Sequence, residues 1–271
     1  MASNYPDPME AGIRPERVNY ENGVLLDEND FKDEQTYFRG RLGRALAFLH
    51  GSGTVAGLEV AESLTQAHVI VVNAGLALDP LGRMSELPVP YCIRAPEWFA
   101  AQNQQDLAES FANSGIDRVI VDLFIRFNVC GRGMTPYLGG GNTEGTDAFT
   151  YNRLLDGVAF EMEIRTELPP DRPTPDPFQG LPAIDPTDPP SPAEALAAIK
   201  NHKYTRAWDE DKLSGTSDNR VLLSRIQLPC TESPMTYDTN GSIVFNDSVR
   251  LLSFTSIELF WLINAMRGDQ S

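Results

Sequence analysis

The chain is poor in the residue types that carry chemistry. Its 271 residues include only three cysteines and three histidines. Cys92, Cys130 and Cys230 are far apart and odd in number, which excludes a disulfide framework, and no CxxC or Cys/His spacing offers a zinc site. They read as buried or half-buried free thiols of a reducing compartment. His50, His68 and His202 are too dispersed to form a metal pair by local spacing, so neither a metal nor a cofactor is expected. Positive charge is also scarce, with 22 Lys and Arg against 38 Asp and Glu and a net charge of −16. Nucleic acid is therefore not expected as a partner, because binding it needs clustered cations to displace counterions. The densest basic group, Arg39, Arg41 and Arg44, alternates with apolar residues and reads as the solvated face of a helix. Long apolar runs are missing as well. Ile257 to Met266 is broken by Glu258 and Asn264, well short of the ~20 residues that span a bilayer. The opening MASNYPDPMEAG has no basic start and no apolar run, so no secretory signal is expected and the chain reads as soluble and cytoplasmic.

What is present suffices for a packed core: 41% of residues are hydrophobic and 9% aromatic, enough for one large domain or two modest ones. Residues 1–16 are rich in Pro, Glu and Asp and read as an extended arm. Val18 to Leu26 reads as extended, with Asn22-Gly23 as a turn. Asp27 is placed as an N-cap, and Glu28, Asp30, Asp33 and Glu34 complement the helix dipole behind it. Phe31, Phe38, Leu42, Ala45 and Leu49 then recur as one apolar stripe on a helix over 28–50, closed by Gly51. His50 reads as a last-turn side chain bonding a free carbonyl. Gly51-Ser52-Gly53 follows a helix instead of preceding one, the wrong polarity for a phosphate cradle.

Short strands are expected over 55–61, 68–73, 75–78 and 84–89, with Asp79-Pro80-Leu81-Gly82 as a turn. A second helix is expected over 98–113. The clearest strand runs from Arg118 to Val129, apolar on both faces, and a glycine-rich loop fills 130–150. Val158 to Ile164 alternates as a strand. Ten prolines among residues 169–192 mark an extended excursion of polyproline II character. A helix over 192–204, strands over 221–228, 242–245 and 248–253, and a terminal helix over 255–266 complete the pattern. Runs of strands with a few helices among them favour an α+β fold with a mainly antiparallel sheet or sandwich core. The expected organisation is an arm at 1–16, a main α+β domain at 17–168, the excursion at 169–192, and the remainder of the domain at 193–271.

Carboxylates are abundant enough to pair by chance. Glu59 and Asp79 are the two that could serve as acid and base of a glycan hydrolase. Nothing local brings them together, and Asp79 is already accounted for by its turn, so no enzyme is expected. A binding module recognising glycan or lipid is a second alternative. Its supports are the 131–150 loop and the prolines, and it lacks an aromatic platform.

The run RVNYENGVLLDENDFKDEQTYFRGRLGRALAFLHGSGTVAGLEV, followed by VNAGLALDPLGR, resembles a family encoded with phage tails and phage-tail-like contractile injection systems. Members of that family typically read NYFxGxLLxxxDFxxEQxYxxxRxRxxxxxLHGxGVVxGLEV and then VxPGxALDPxGR. The correspondence runs through Asn19-Tyr20, Gly23, Leu25-Leu26, Asp30-Phe31, Glu34-Gln35, Tyr37, Arg39, Arg41, Leu49-His50-Gly51, Gly53, Val55, Gly57 to Val60, Gly75, Ala77 to Pro80 and Gly82-Arg83. Glu21 stands where an aromatic is usual, Phe38 where a histidine is frequent, and Asn73-Ala74 where a proline is usual. The resemblance is close over about a quarter of the chain and does not reach the acidic N-terminus or the prolines. It implies a structural subunit at or near the baseplate or spike of a tail-like particle. Such a particle is assembled in the cytoplasm and is then free, membrane-anchored or released. Implied partners are other baseplate, spike or sheath subunits and further copies of the chain, a trimer among the arrangements allowed, with membrane contact only through the assembled particle. Asn19, Tyr20, Leu25, Leu26 and the pair Phe260-Trp261 are the residues expected to supply contacts, together with the exposed edge of the helix over 30–50.

Overall fold

The structure is a computed structural model, which describes residues 7–11, 16–136, 149–167, 188, 190–205, 219–232 and 234–259. It is α+β, with every sheet antiparallel and a long helix near the N-terminus. The tip of the glycine-rich loop, nearly all of the proline-rich excursion, and Phe260 and Trp261 lie outside the described residues. Of the terminal helix expected over 255–266, residues 255–259 are described, and 256–259 of these are helical.

Helix α1 spans Glu28–His50. Its start is chemically specified: the Asp27 carboxylate accepts from the backbone of Asn29 (2.7 Å) and Asp30 (3.2 Å), while Asp30 accepts from the Asp27 N–H (2.8 Å). Two of the helix's orphan donors are satisfied by this capping box, and the acids sit at the positive end of the dipole. At the other end Gly51 adopts φ 71° and its N–H bonds back to the Ala47 carbonyl (3.1 Å). The His50 ring is exposed; its backbone carbonyl, not its side chain, makes the recorded bond, accepting from Ser253 Oγ at 3.3 Å.

Two three-stranded sheets follow. One has the order β1 (Gly53–Gly57), β4 (Gly75–Leu78), β5 (Met84–Leu87); the other is β2 (Val60–Glu62), β3 (Val69–Val72), β6 (Tyr91–Arg94). Strand β6 escaped the sequence reading. The β1–β2 and β3–β4 segments pair along one ribbon that bends from sheet to sheet at Gly57-Leu58 and Asn73-Ala74, held by Leu58 N–H to Ala74 O and Asn73 N–H to Glu59 O. Gly57 and Gly75 make that bend possible. A Cβ on Gly57 would lie 2.1 Å from the Ala74 carbonyl oxygen, and one on Gly75 would lie 2.3 Å from that of Ala56.

The expected second helix is two pieces, α2 (Ala95–Ala100) and α3 (Gln104–Ser114), because Asn103 caps a new helix, accepting from Gln105 N–H at 2.9 Å. The largest sheet centres on β7 (Arg118–Pro136), flanked by β8 (Phe149–Ile164) and β9 (Arg220–Thr231), with the short β10 (Thr236–Tyr237) and β11 (Val244–Asn246) on β9. Strand β7 continues seven residues beyond Val129, and β8 begins nine before Val158, so part of the expected loop is a two-stranded ribbon in register from Cys130↔Leu155 to Pro136↔Phe149. Helix α4 (Pro192–Thr205) precedes β9. Residues 248–253 form no strand: Asp247–Val249 is a 3-10 turn, and Leu252 makes a single bridge to Thr54.

One apolar core joins these parts. Leu58, Ile70 and Val72 from the bent ribbon meet Phe99 and Leu107 from α2 and α3, and Val121, Leu123, Leu223 and Ile226 from the large sheet. Beneath them Asp122 is buried with its charge matched. Arg225 donates to both its oxygens (2.7 and 3.0 Å), and Arg165 lies 3.2 Å away. Bidentate pairing of this kind is what a buried carboxylate requires. The thiols are divided: Cys130 and Cys230 are half-buried, but Cys92 is exposed, contrary to expectation, because β6 is the edge of its sheet.

Candidate functional site: an outward-facing helix held by a buried ion cluster

The apolar stripe of α1 does not enter the core. The buried residues of the helix are Thr36, Gly43 and Ala47, which fall on one line down the cylinder. Phe31, Phe38, Leu42, Ala45 and Leu49 lie roughly 150° around it and are all exposed, Phe38 at 56% and Leu49 at 77%. The periodicity alone does not say which way this stripe turns; in the fold it faces solvent. Small residues face the body because the helix approaches it closely. A Cβ on Gly43 would be 2.8 Å from the Leu81 carbonyl oxygen and 2.7 Å from Met9 Cε, and one on Gly82, whose φ is 75°, only 1.8 Å from the Gly43 carbonyl oxygen. Backbone rests on backbone, leaving no room for the large side chains on that side.

The turn that receives the helix is built around Asp79 and Arg83. Asp79 Oδ1 accepts from the backbone N–H of Leu81 (2.9 Å) and Arg83 (2.8 Å), and Oδ2 accepts from Arg83 Nε (2.6 Å). The other arm of the guanidinium reaches the N-terminal segment, donating to Asp7 (3.1 Å) and Glu10 (2.8 Å). Arg39 of α1 also donates to Asp7, at 3.1 Å. The Phe127 ring lies 4.8 Å from the centre of the Arg83 guanidinium, within cation–π range. Arg83 is 4% exposed and Asp79 fully buried. Burial alone would lower the pKa of Arg83, but the Asp79 charge and the hydrogen bonds to Glu10, Asp79 and Asp7 raise it, so the cation is secure. This cluster ties three distant stretches together: the N-terminal segment, α1 and the β4–β5 turn.

The residues expected to make contacts fall in two groups. Asn19, Tyr20 and Leu25 are exposed, Leu25 at 93%, and Leu26 is half-buried. Tyr20 donates its hydroxyl to Glu34, which fastens this segment to the first turns of α1, and Asn22-Gly23 forms the expected turn, with Gly23 at φ 91°. Phe260 and Trp261 lie outside the described residues, but Ile257, three residues earlier, is exposed. The structure thus ties Tyr20 to α1 through Glu34 and leaves Tyr20, Leu25 and the α1 stripe exposed.

Several groups that could act chemically are already engaged. Asp79 is consumed by its turn, and Glu59 is exposed beside Asn73. His68, at φ 61°, joins β3 to the end of β10: Nε2 must donate to the Thr239 carbonyl (2.9 Å), so Nδ1 accepts from the Tyr237 hydroxyl (2.9 Å). Burial raises the pKa of that phenol. Among the described residues no group of three or more His, Cys, Asp or Glu is placed to hold a metal, and no helix is long and apolar enough to cross a membrane.

Comparison with family profiles gives no match, and comparison with curated proteins gives none. The family suggested by the motif run is therefore not established by either. Among solved structures the chain is similar to proteins of type VI secretion baseplates. A chain of the baseplate complex from the type VI secretion system is 12% identical, with a TM-score of 0.32, covering 55% of this chain and 50% of that one. A chain of the TssK-TssF-TssG baseplate subcomplex is 10% identical, with a TM-score of 0.37, covering 86% and 60%. TssK itself is 12% identical, with a TM-score of 0.30, covering 58% and 36%. This chain spans no more than 60% of any of these three neighbours, and likeness at these scores carries no argument about what it does.

Proposed function

We propose that this chain is a structural subunit of a phage-tail-like contractile injection particle, at or near the baseplate, and that it acts by assembling with neighbouring subunits. The observation that carries the reading is the orientation of α1, whose five apolar stripe residues face solvent while a buried ion cluster fixes the helix from behind. Exposed apolar surface of that extent on an ordered helix marks a protein interface. The segment that forms it, from Asn19 to Arg83, is also the segment that carries the motif run. A strongly negative subunit stays soluble before it assembles. In this reading the chain performs no catalysis, and the purified protein is inert on cell-wall substrates.

The test is purification of the C-terminally tagged chain from gently lysed native host, with negative-stain imaging and mass spectrometry of what accompanies it. Sheathed, needle-like particles labelled at one end support the reading. Intact particles in cells lacking the chain overturn it and favour a glycan- or lipid-binding module.

A further inference from the structure

We infer that the α1 stripe is a coiled-coil seam that pairs in parallel with α1 of a second copy of this chain. The inference rests on α1 being an assembly surface and names its occupant. Phe31, Phe38, Leu42, Ala45 and Leu49 are separated by seven, four, three and four residues. With Gln35 included, the line alternates four and three throughout, placing Phe31, Phe38 and Ala45 at d positions and Gln35, Leu42 and Leu49 at a positions. A 3.5-residue repeat is the period that keeps a seam facing another helix. The residues that hold α1 to its own body, Thr36, Gly43 and Ala47, occupy b and f positions on the opposite side, so two seams meet with both bodies outside.

Charge selects the orientation. Lys32 and Arg39 take e positions, and Asp27 and Glu34 take g positions. In a parallel pair each g residue faces the e residue five positions on in its partner, which sets Asp27 against Lys32 and Glu34 against Arg39, both attractive. An antiparallel pair centred on the stripe sets Arg39 against Arg39, which is repulsive. Glu34 and Arg39 keep capacity for this, since the recorded bonds of the first run to Tyr20 and of the second to Asp7 alone. Between Phe31 and Leu49 Gln35 is the one polar seam residue, and two facing glutamines bond only in the parallel, in-register arrangement, as polar a residues do when they fix register; Glu28, the a position one heptad earlier, is paired with Lys32 of its own helix.

The experiment uses the full chain. Light scattering across a micromolar concentration series reads its mass. Gln35→Cys under mild oxidation, with disulfide mapping by mass spectrometry to separate it from Cys92, Cys130 and Cys230, reads the register. A multimer that collapses to monomer in Phe38→Glu/Leu42→Glu, with unchanged circular dichroism, and a 35–35 cross-link are expected. A wild-type monomer throughout, a multimer indifferent to the double substitution, or the absence of a 35–35 cross-link within a multimer overturns the inference. If the chain is monomeric yet the double variant is lost from particles, α1 remains an assembly surface whose occupant is another protein. If the variant enters particles normally, the assembly reading itself falls.

Discussion

Gly40 and Gly43 lie one turn apart on α1, and the way the helix is seated predicts opposite consequences for adding a methyl group to each. A Cβ at Gly40 meets nothing within 4 Å, so Gly40→Ala gains the helix-propensity difference, about 0.8–1 kcal/mol. Gly43→Ala gains the same amount and then pays for overpacking, because its Cβ falls 2.8 Å from the Leu81 carbonyl oxygen. Met9 can swing aside, but Leu81 belongs to a turn held by the two hydrogen bonds into Asp79 Oδ1. Overpacking costs about 1–3 kcal/mol, which leaves Gly43→Ala roughly neutral to 2 kcal/mol destabilised. The two variants should therefore differ by about 1–3 kcal/mol. At ~2–4 °C per kcal/mol for a domain of this size, thermal melts followed by circular dichroism resolve that gap. Both must be run at one protein concentration, since self-association makes the midpoint concentration-dependent. Gly43→Ala melting with or above Gly40→Ala would refute the close seating of α1, and with it the reason its large apolar residues face outward.

Three further outcomes follow from the charged groups. Arg83→Met strands the buried Asp79 carboxylate and releases Asp7 and Glu10, at a cost of about 3–5 kcal/mol; amide exchange in the Asp7–Ala11 segment and in α1 should rise more than in β9. Asp122→Asn removes the carboxylate charge that Arg225 and Arg165 share, while Arg165 keeps Glu167 at 3.0 Å, at a similar cost of about 3–5 kcal/mol. Urea unfolding measures both losses, and a change below about 1 kcal/mol in either would show that its cluster is solvated. Glu194 accepts from the hydroxyl and N–H of Ser191, and these bonds lower its pKa. The N-terminal cap of α4 thus contributes in full above the ordinary glutamate range and fades as pH falls through the lowered value. In an NMR titration Ser191→Ala removes the hydroxyl and keeps the backbone N–H, so the Glu194 midpoint should rise part of the way toward its ordinary value, and an unmoved midpoint would mean that the hydroxyl bond does not form in solution.

Local chemistry made much of this protein legible. Asp27, with Asp30 three residues on, and Gly51 set both ends of α1 because capping depends on neighbouring groups alone. The Asp79-Pro80-Leu81-Gly82 turn and β4 follow from equally short-range preferences. The extension of β7 beyond Val129 was hidden, since Gly131 and Gly133 resemble loop chemistry until β8 pairs across from them. Strand β6 was hidden likewise, because Tyr91-Cys92-Ile93-Arg94 is exposed enough at a sheet edge to show no burial pattern.

Arg83 shows the limit most clearly. Its sequence position marks the end of a turn, whereas its partners Asp7 and Glu10 lie more than seventy residues away. The periodicity of Phe31 to Leu49 likewise established that α1 has a face that demands burial, but periodicity does not say what buries it. That was decided by the fit of Gly43 against Gly82, a contact between residues 39 positions apart that admits only small side chains. By itself the sequence determined where the helix begins, where it ends and which of its sides is apolar. The tertiary structure alone decided that this side turns away from the core, because close backbone approach claimed the opposite face first.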